Sequence, residues 1–354
     1  MPQDKQSLNS ARDKARLEAT ARIQQAHQWT PEELAREVMA GNREALAQAI
    51  TWVESTNPRH QDRIEALLSA LPQQTNSLRL GITGIPGAGK STFIERFGMD
   101  AIAQGHRVAV LAVDPTSQRT GGSLLGDKTR MQTLSMQPEA YVRPSAAAST
   151  LGGVARATAE AIHLCEAAGY DLIVVETVGV GQSEVAVRAM VDAFVLLLIG
   201  GAGDDVQGIK RGVVEMADMV VVHKADGNRM ADCRATLGAY QQALHLLPTP
   251  PSGLDPQAFM ASSLTGEGHD QIWSTLKRTV EVWKTSGWWE TQREEQRLEA
   301  MERHAKELLI EAHMSRAEGL WKGLQSKVRE NSVSAYSAAR TWIRGASKPP
   351  SDAS

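Results

Sequence analysis

Cysteine is almost missing from this 354-residue chain: Cys165 and Cys233 are the only two, each inside a helical pattern. That leaves little material for a disulfide framework, and a reduced cytoplasmic protein is the simplest account. Neither sign of charge dominates. Lys and Arg number 38 against 41 Asp and Glu, so there is no electrostatic case for a nucleic-acid partner. Long apolar runs are also lacking. The longest, Ala193 to Ile199, is far too short to span a bilayer and has the length of a buried strand. The N-terminal stretch carries Asp4, Lys5, Arg12, Asp13, Lys14 and Arg16 without an apolar core, so it does not read as a secretory signal.

One segment stands out against that background. Residues 84–91, Gly84-Ile85-Pro86-Gly87-Ala88-Gly89-Lys90-Ser91, meet the phosphate-binding pattern GxxxxGK[ST] at every fixed position. The apolar stretch 78–83 before them reads as a short buried strand, and a helical pattern begins at Thr92. In that setting the glycines let backbone N–H groups turn toward phosphate oxygens, and the helix N-terminus adds its positive dipole end. Lys90 would reach the β- and γ-phosphates, and the Ser91 hydroxyl would bind Mg²⁺. Residues 84–92 are therefore the expected cradle for a nucleoside triphosphate.

Other segments supply the remaining parts of such a site. The strand Leu172-Ile173-Val174-Val175-Glu176 ends in a carboxylate suited to assisting Mg²⁺, and Thr177-Val178-Gly179 follows. Glu-x-x-Gly is a variant of the Asp-x-x-Gly turn whose glycine N–H senses a γ-phosphate. A second strand, 108–113, runs into Asp114-Pro115-Thr116-Ser117 and a glycine-bearing loop that reaches Asp127. Asp114 and Asp127 are candidate metal-side carboxylates, although either alone also suits a turn or a helix cap. Gln182 is a candidate for positioning the attacking water and Lys210 for stimulating hydrolysis; each equally fits a solvated surface.

Base choice rests on Val220-Val221-Val222-His223-Lys224-Ala225-Asp226. An apolar strand running into Asn-Lys-x-Asp is the guanine-reading loop of G proteins, in which the Asp accepts from guanine N1–H and the exocyclic amine. Adenine lacks those donors, so it would leave a buried acceptor unpaired. Here His223 replaces the Asn. One ring N–H does not reproduce the amide's donor and acceptor together, so weaker guanine affinity or looser discrimination is expected. Ser262, Ser263 and Leu264 resemble the backbone-donating loop that backs up this choice.

From residue 78 to about 285 short apolar strands alternate with helices, the pattern of an α/β domain with a mostly parallel sheet flanked by helices. Strands are expected near 79–84, 107–113, 171–176, 193–199, 219–223 and 257–261. Helices are expected near 90–104, 151–168, 206–217, 229–246 and 268–285. Residues 1–77 read as an N-terminal helical extension, with Thr30, Pro31 and Glu33 forming a helix start. No tryptophan lies between 53 and 272, whereas Trp273, Trp283, Trp288, Trp289, Trp321 and Trp342 crowd the C-terminal part. Leu298, Met301, Ala305, Leu308 and Ala312 then follow a 3-4-3-4 spacing. A helix this polar has little core of its own to join, so residues 286–345 are expected to form a homodimer arm ahead of the alternative, packing back on their own domain. His304 and His313 read as surface residues, and 346–354 as a disordered tail.

Together these residues resemble one family, the G-protein chaperones of adenosylcobalamin-dependent acyl-CoA mutases (MeaB/ArgK/MMAA), once labelled transport-system ATPases. The carrying segments are GITGIPGAGKSTFIE (81–95), VAVLAVDPTSQRTGGSLLGDKTRM (108–131), TLGGVARATAEAIHLCEAAGYDLIVVETVGVGQSE (150–184) and GAGDDVQGIKRGVVEMADMVVVHKADG (201–227). The resemblance implies a P-loop GTPase of the SIMIBI class, dimeric through a C-terminal helical extension. It implies slow hydrolysis alone and stimulation by a methylmalonyl-CoA, isobutyryl-CoA or 2-hydroxyisobutyryl-CoA mutase. In such proteins hydrolysis gates adenosylcobalamin transfer into the mutase and helps eject inactivated cofactor; an adenosyltransferase is a further implied partner. By position, metal-side roles fall on Ser91, Asp114, Asp127 and Glu176. Switch loops fall on 114–131, 177–184 and about 200–210, the last with Asp204, Gln207 and Lys210. Besides His223, Gly200 departs from the pattern: a Pro usually precedes Gly-Ala-Gly, and its loss is expected to loosen the third switch. Ile85 and Pro86 occupy the stretch where dimer-activated members of the class carry a lysine. No Asp-x-His-x-x-Gly segment occurs, so the corrinoid would sit on another polypeptide.

Three other readings compete. A metal-delivery GTPase for nickel enzymes would carry a histidine-rich tract or paired cysteines, but the nine histidines are scattered. A kinase, the activity implied by the older label, needs an acceptor pocket and a catalytic base, and no extra domain supplies them. A module that holds GTP without turnover is opposed by the intact Lys90, Ser91 and Glu176.

Overall fold

The computed structural model describes residues 29–55, 57, 60–73, 76–113, 131–143, 151–177, 183–201 and 211–346. The chain divides into two compact units, one of residues 1–76 with 160–170 and one of 77–159 with 171–354. Among the described residues no helix is long and apolar enough to cross a membrane.

The first unit contains helices α1 (Pro31–Met39), α2 (Arg43–Val53) and α3 (Gln61–Ser69). Local chemistry sets their starts. The Glu33 N–H donates to Thr30 Oγ1 at 3.2 Å while Glu33 Oε2 accepts from the Thr30 N–H at 2.9 Å, which completes the capping box. Asn42 caps α2 by accepting from the Glu44 and Ala45 N–H groups. Leu34, Val38, Leu46, Ile50 and Leu67 are fully enclosed, and each such side chain stabilises the folded state by about 1.5–3 kcal/mol.

The second unit is built on seven strands: β1 (Leu78–Gly84), β2 (Val108–Val113), β3 (Ala140–Arg143), β4 (Leu172–Thr177), β5 (Ala193–Ile199), β6 (Met219–His223) and β7 (Gln257–Ala261). Their order is β3-β2-β4-β1-β5-β6-β7, and every pairing is parallel, beyond the mostly parallel sheet expected. Sequence order reverses about β1, so the C-terminal ends of β1, β4, β5 and β6 frame the crevice where ligands of doubly wound sheets sit. The helices are α4 (Lys90–Ala103), α5 (Gln132–Ser135), α6 (Leu151–Ala167, shared with the first unit), α7 (Ser183–Arg188), α8 (Arg211–Glu215), α9 (Met230–Leu244) and α10 (His269–Ser286). β3, α5 and α7 have no counterpart among the expected elements; four to six residues are too few for a period to show.

Strand alternation sorts the side chains. Leu80, Ile82, Val195, Leu197, Val221 and Phe259 point to one face, where Phe93, Phe97, Trp273 and Trp283 cover them. Leu196, Leu198 and Val220 point to the other, beneath Val213, Tyr240 and Leu244. Glu176 and His223 share the first face with Ile82 and Val221, because their positions differ by even steps in register.

α11 (Trp288–Arg316), α12 (Glu318–Arg329) and α13 (Ala335–Ala346) follow. The first turns of α11 pack back on their own domain, the alternative to a wholly free arm. Trp289 is buried with the sheet, and Arg293 forks onto Asp192 through Nε–Oδ1 and Nη2–Oδ2, both 2.8 Å. Gln292 and Gln296 donate to the Asp192 and Val191 carbonyls. Beyond Gln296 the expected seam is outward: Leu298 (55%), Met301 (65%) and Leu308 (50%) are exposed. His304 and His313 are half-buried rather than surface residues. His313 lies edge-on to Trp342 at 4.8 Å and meets the Ile343 carbonyl at 3.2 Å, and burial lowers the pKa of His304.

Candidate active site

The loop 84–91 leaves the end of β1 and enters α4 as its motif predicts. Gly84 passes so close to the Leu197 carbonyl that any Cβ would collide with it, and Gly89 sits at φ +87° with a would-be Cβ 2.9 Å from His223 Nδ1. Lys90, the first residue of α4, donates from Nζ to the Gly84 carbonyl at 2.8 Å and the Ile85 carbonyl at 3.5 Å, so its ammonium is held across the loop. The Ser91 hydroxyl donates to Glu176 Oε1 at 3.2 Å, joining the phosphate loop to the end of β4. Just beneath, Thr177 Oγ1 donates to Thr83 Oγ1 at 2.8 Å, both fully buried. A hydroxyl and a carboxylate together are hard oxygen donors, which fit a Mg²⁺ that keeps several waters and phosphate oxygens.

A second cluster forms where β6 and β7 end. Asp226 Oδ2 accepts from the buried Ser262 hydroxyl at 2.5 Å, and Ser262 Oγ in turn accepts from the Thr265 N–H at 3.3 Å. Lys224 adopts φ +59°, and its Cε would lie 3.3 Å from a Cβ at Gly89, so its stem runs along the phosphate loop. Leu264 presents an exposed side chain (80%). His223 is buried between the two clusters. Its Nδ1 meets the Ala88 carbonyl at 2.7 Å, its Nε2 meets Ser263 Oγ at 2.7 Å, and Phe93 stands edge-on at 5.6 Å. A carbonyl only accepts, so Nδ1 carries the proton and Nε2 is left to accept from Ser263. Burial pushes the His223 pKa down, which keeps the ring neutral at pH 7. The neutral ring has one donor and one acceptor, in opposite directions, and both are engaged by the protein.

Gly200 has a packing role at the end of β5. A Cβ there would fall 2.5 Å from Cys233 Sγ and 2.6 Å from the Cys233 backbone nitrogen. The glycine allows α9 to approach the end of β5 closely. Cys233 is buried and free, donates to the Lys224 carbonyl at 3.8 Å, and has its thiol pKa raised by burial.

The structure thus gathers Gly84, Ile85, Pro86, Gly87, Ala88, Gly89, Lys90, Ser91, Thr92 and Glu176 at one end of the crevice. At the other it gathers His223, Lys224, Asp226, Ser262, Ser263 and Leu264. Asp114, Asp127, Gly179, Gln182 and Lys210 lie outside the described residues. His269 and Phe93, which complete the histidine's surroundings, carry no motif that would have singled them out.

A wholly parallel sheet with this loop at the end of its central strand is a P-loop GTPase, and the chain binds guanine nucleotide and hydrolyses GTP. The particular family follows from comparison. Residues 46–318 match the family described as "Methylmalonyl Co-A mutase-associated GTPase MeaB", and the chain belongs to it. It is 46% identical over 276 residues to the Escherichia coli protein named GTPase ArgK, covering 78% of this chain and 83% of that one. It is 49% identical over 261 residues to the Mus musculus protein named "Methylmalonic aciduria type A homolog, mitochondrial", covering 71% and 63% respectively. Among solved structures, one titled "Crystal structure of LAO/AO transport system kinase" superposes with a TM-score of 0.69 at 35% identity, covering 91% of this chain and 99% of that one.

Proposed function

We propose that this GTPase serves an adenosylcobalamin-dependent acyl-CoA mutase in the cytoplasm, gating cofactor loading and helping to eject inactivated cofactor. The observation that carries the reading is topological. The chain leaves for residues 114–130, 178–182 and 202–210 from the ends of β2, β4 and β5, at the same edge of the sheet as the phosphate loop. A partner seated on those segments would sense the state of the γ-phosphate directly. The family description, which names a mutase association, supports the choice of partner.

In this mechanism the backbone N–H groups of 84–91 and the α4 N-terminus hold the phosphates, and Lys90 brings its ammonium to the β- and γ-phosphates. Mg²⁺, when bound, would neutralise phosphate charge as the leaving group departs; Ser91 and Glu176 are the described residues that would hold it, with Asp114 and Asp127 as further candidates. Asp226 accepts from guanine N1–H and its amine, while Ser262 orients the carboxylate. Gln182 and Lys210 remain our candidates for orienting water and for partner-dependent stimulation. The exposed Leu298–Met301–Leu308 seam supports a homodimer arm within 286–345, on a G domain of 78–285 after an N-terminal extension of 1–77. An adenosyltransferase would supply the cofactor.

Asp226→Asn tests the base reading. Xanthine carries a carbonyl where guanine has the amine, so an amide at 226 suits it better. The variant should lose GDP and gain xanthosine diphosphate; unchanged preference for GDP would remove Asp226 from base recognition.

A further inference from the structure

His269 is the first residue of α10, and no catalytic or nucleotide role has been assigned to it. Its side chain is 2% exposed. One face lies 4.9 Å from the Phe93 ring, and its Nε2 meets Ser263 Oγ at 3.2 Å. Its Nδ1 is buried without a hydrogen-bond partner, 3.9 Å from Asp100 Oδ2. Ser263 Oγ thus lies between two buried imidazoles, with His223 on its other side at 2.7 Å.

Proton counting gives this chain one direction. The Ala88 carbonyl fixes the proton of His223 on Nδ1, so His223 Nε2 accepts the single Ser263 hydroxyl proton. Ser263 Oγ can then only accept, and His269 must donate from Nε2. The reverse direction would require His223 to carry protons on both nitrogens, an imidazolium in a buried site beside Lys224. The bare Nδ1 of His269 follows from the same count: with Nε2 protonated in a neutral ring, Nδ1 is a lone pair, and a carboxylate 3.9 Å away offers it no proton. Burial lowers the His269 pKa to about 4, which keeps the ring neutral.

We infer that Ser263 and His269 are positioning residues for guanine recognition, a relay that fixes His223 in its Nδ1–H tautomer and so ties the base loop 262–265 to the phosphate loop at Ala88. Ser262 already orients Asp226, so the two consecutive serines hold the two halves of the site: Ser262 the base-reading carboxylate, Ser263 the residue in the Asn position. The relay explains how a histidine replaces that Asn with both of its own ring nitrogens paired. The inference rests on Asp226 being the base reader, which the xanthosine diphosphate experiment tests independently.

The direct measurement is nitrogen NMR of histidine-labelled full-length protein with GDP. His223 should carry its proton on Nδ1 and His269 on Nε2; a His223 proton on Nε2 overturns the relay with no variant required. Calorimetry with GDP on Ser263→Ala, His269→Phe and the double variant supplies the functional arm. Each single variant should weaken GDP by about tenfold, the loss of one buried hydrogen bond, and the double variant should be no worse than either, since both cut one chain. His269→Gln, which keeps a donor toward Ser263, should recover most of the affinity. Additive losses, or unchanged GDP affinity in Ser263→Ala and His269→Phe together with unchanged His223 nitrogen shifts, would refute a shared relay. If Asp226→Asn behaves as expected while these variants do nothing, only the relay fails; if Asp226→Asn does nothing, the base reading fails.

Discussion

Replacing His223 by the asparagine usual in guanine-reading loops is expected to harm this protein, although the motif alone suggests it should tighten GDP. An asparagine amide can still donate to the Ala88 carbonyl, but it is too short to reach Ser263 as well, now 2.7 Å from Nε2. The Ser263–His269 pair then keeps one unpaired group in a site where both histidines are 2% exposed. Leaving one such group unsatisfied costs about 1–3 kcal/mol. The missing ring atoms leave a void beside Phe93, whose edge-on contact is lost, adding about 1 kcal/mol. A total of about 2–4 kcal/mol should appear as a lower urea midpoint with an unchanged denaturant slope. GDP affinity should fall or stay level by calorimetry, because the base loop loses its tie to the phosphate loop. A variant that binds GDP more tightly with undiminished stability would show that the histidine is a defect, and the reasoning would be wrong.

Other expectations follow from the same geometry. Arg293→Met leaves the enclosed Asp192 carboxylate without its fork and should destabilise the protein by about 3–5 kcal/mol, read by denaturation; a loss below 1 kcal/mol would mean that the clamp is idle. Gly200→Pro, far from stiffening the end of β5, should destabilise it, since a Cβ there meets the Cys233 backbone; a raised melting temperature would contradict this. Because the folded His269 pKa lies near 4 and the unfolded value near 6.5, only the unfolded chain gains a proton between those values. Stability should therefore decline as pH falls from about 6.5 to about 4, and His269→Phe should flatten that slope; an identical slope in the variant would assign it to other groups. Glu176→Gln should weaken the Mg²⁺ dependence of GTP turnover by at least about tenfold, and unchanged dependence would remove Glu176 from the metal's surroundings.

How much of this was visible in the sequence depended on range. The phosphate loop, its flanking strand and α4 are set by adjacent residues, and so is the Thr30 capping box. The strands were visible because parallel sheets bury both faces, producing unbroken runs such as Ala193–Ile199. Tertiary pairings were not. Arg293 finds Asp192 from 101 residues away, and His269 becomes a partner of His223 only when α10 packs against α4. The packing at Gly200 was hidden for a related reason: only the fold shows that the neighbouring helix requires the side chain to be absent. The use of the second ring nitrogen of His223 was likewise invisible until Ser263 appeared beside it.

The central claim is that this site reports its phosphate state to a mutase. The most direct measurement is the steady-state GTP turnover of the full-length protein, alone and with a saturating adenosylcobalamin-dependent acyl-CoA mutase, with ATP run in parallel. The account predicts slow GTP turnover alone, at least about tenfold acceleration by the cognate mutase, and little ATP turnover in either case. Equal GTP rates with and without each candidate mutase would contradict it.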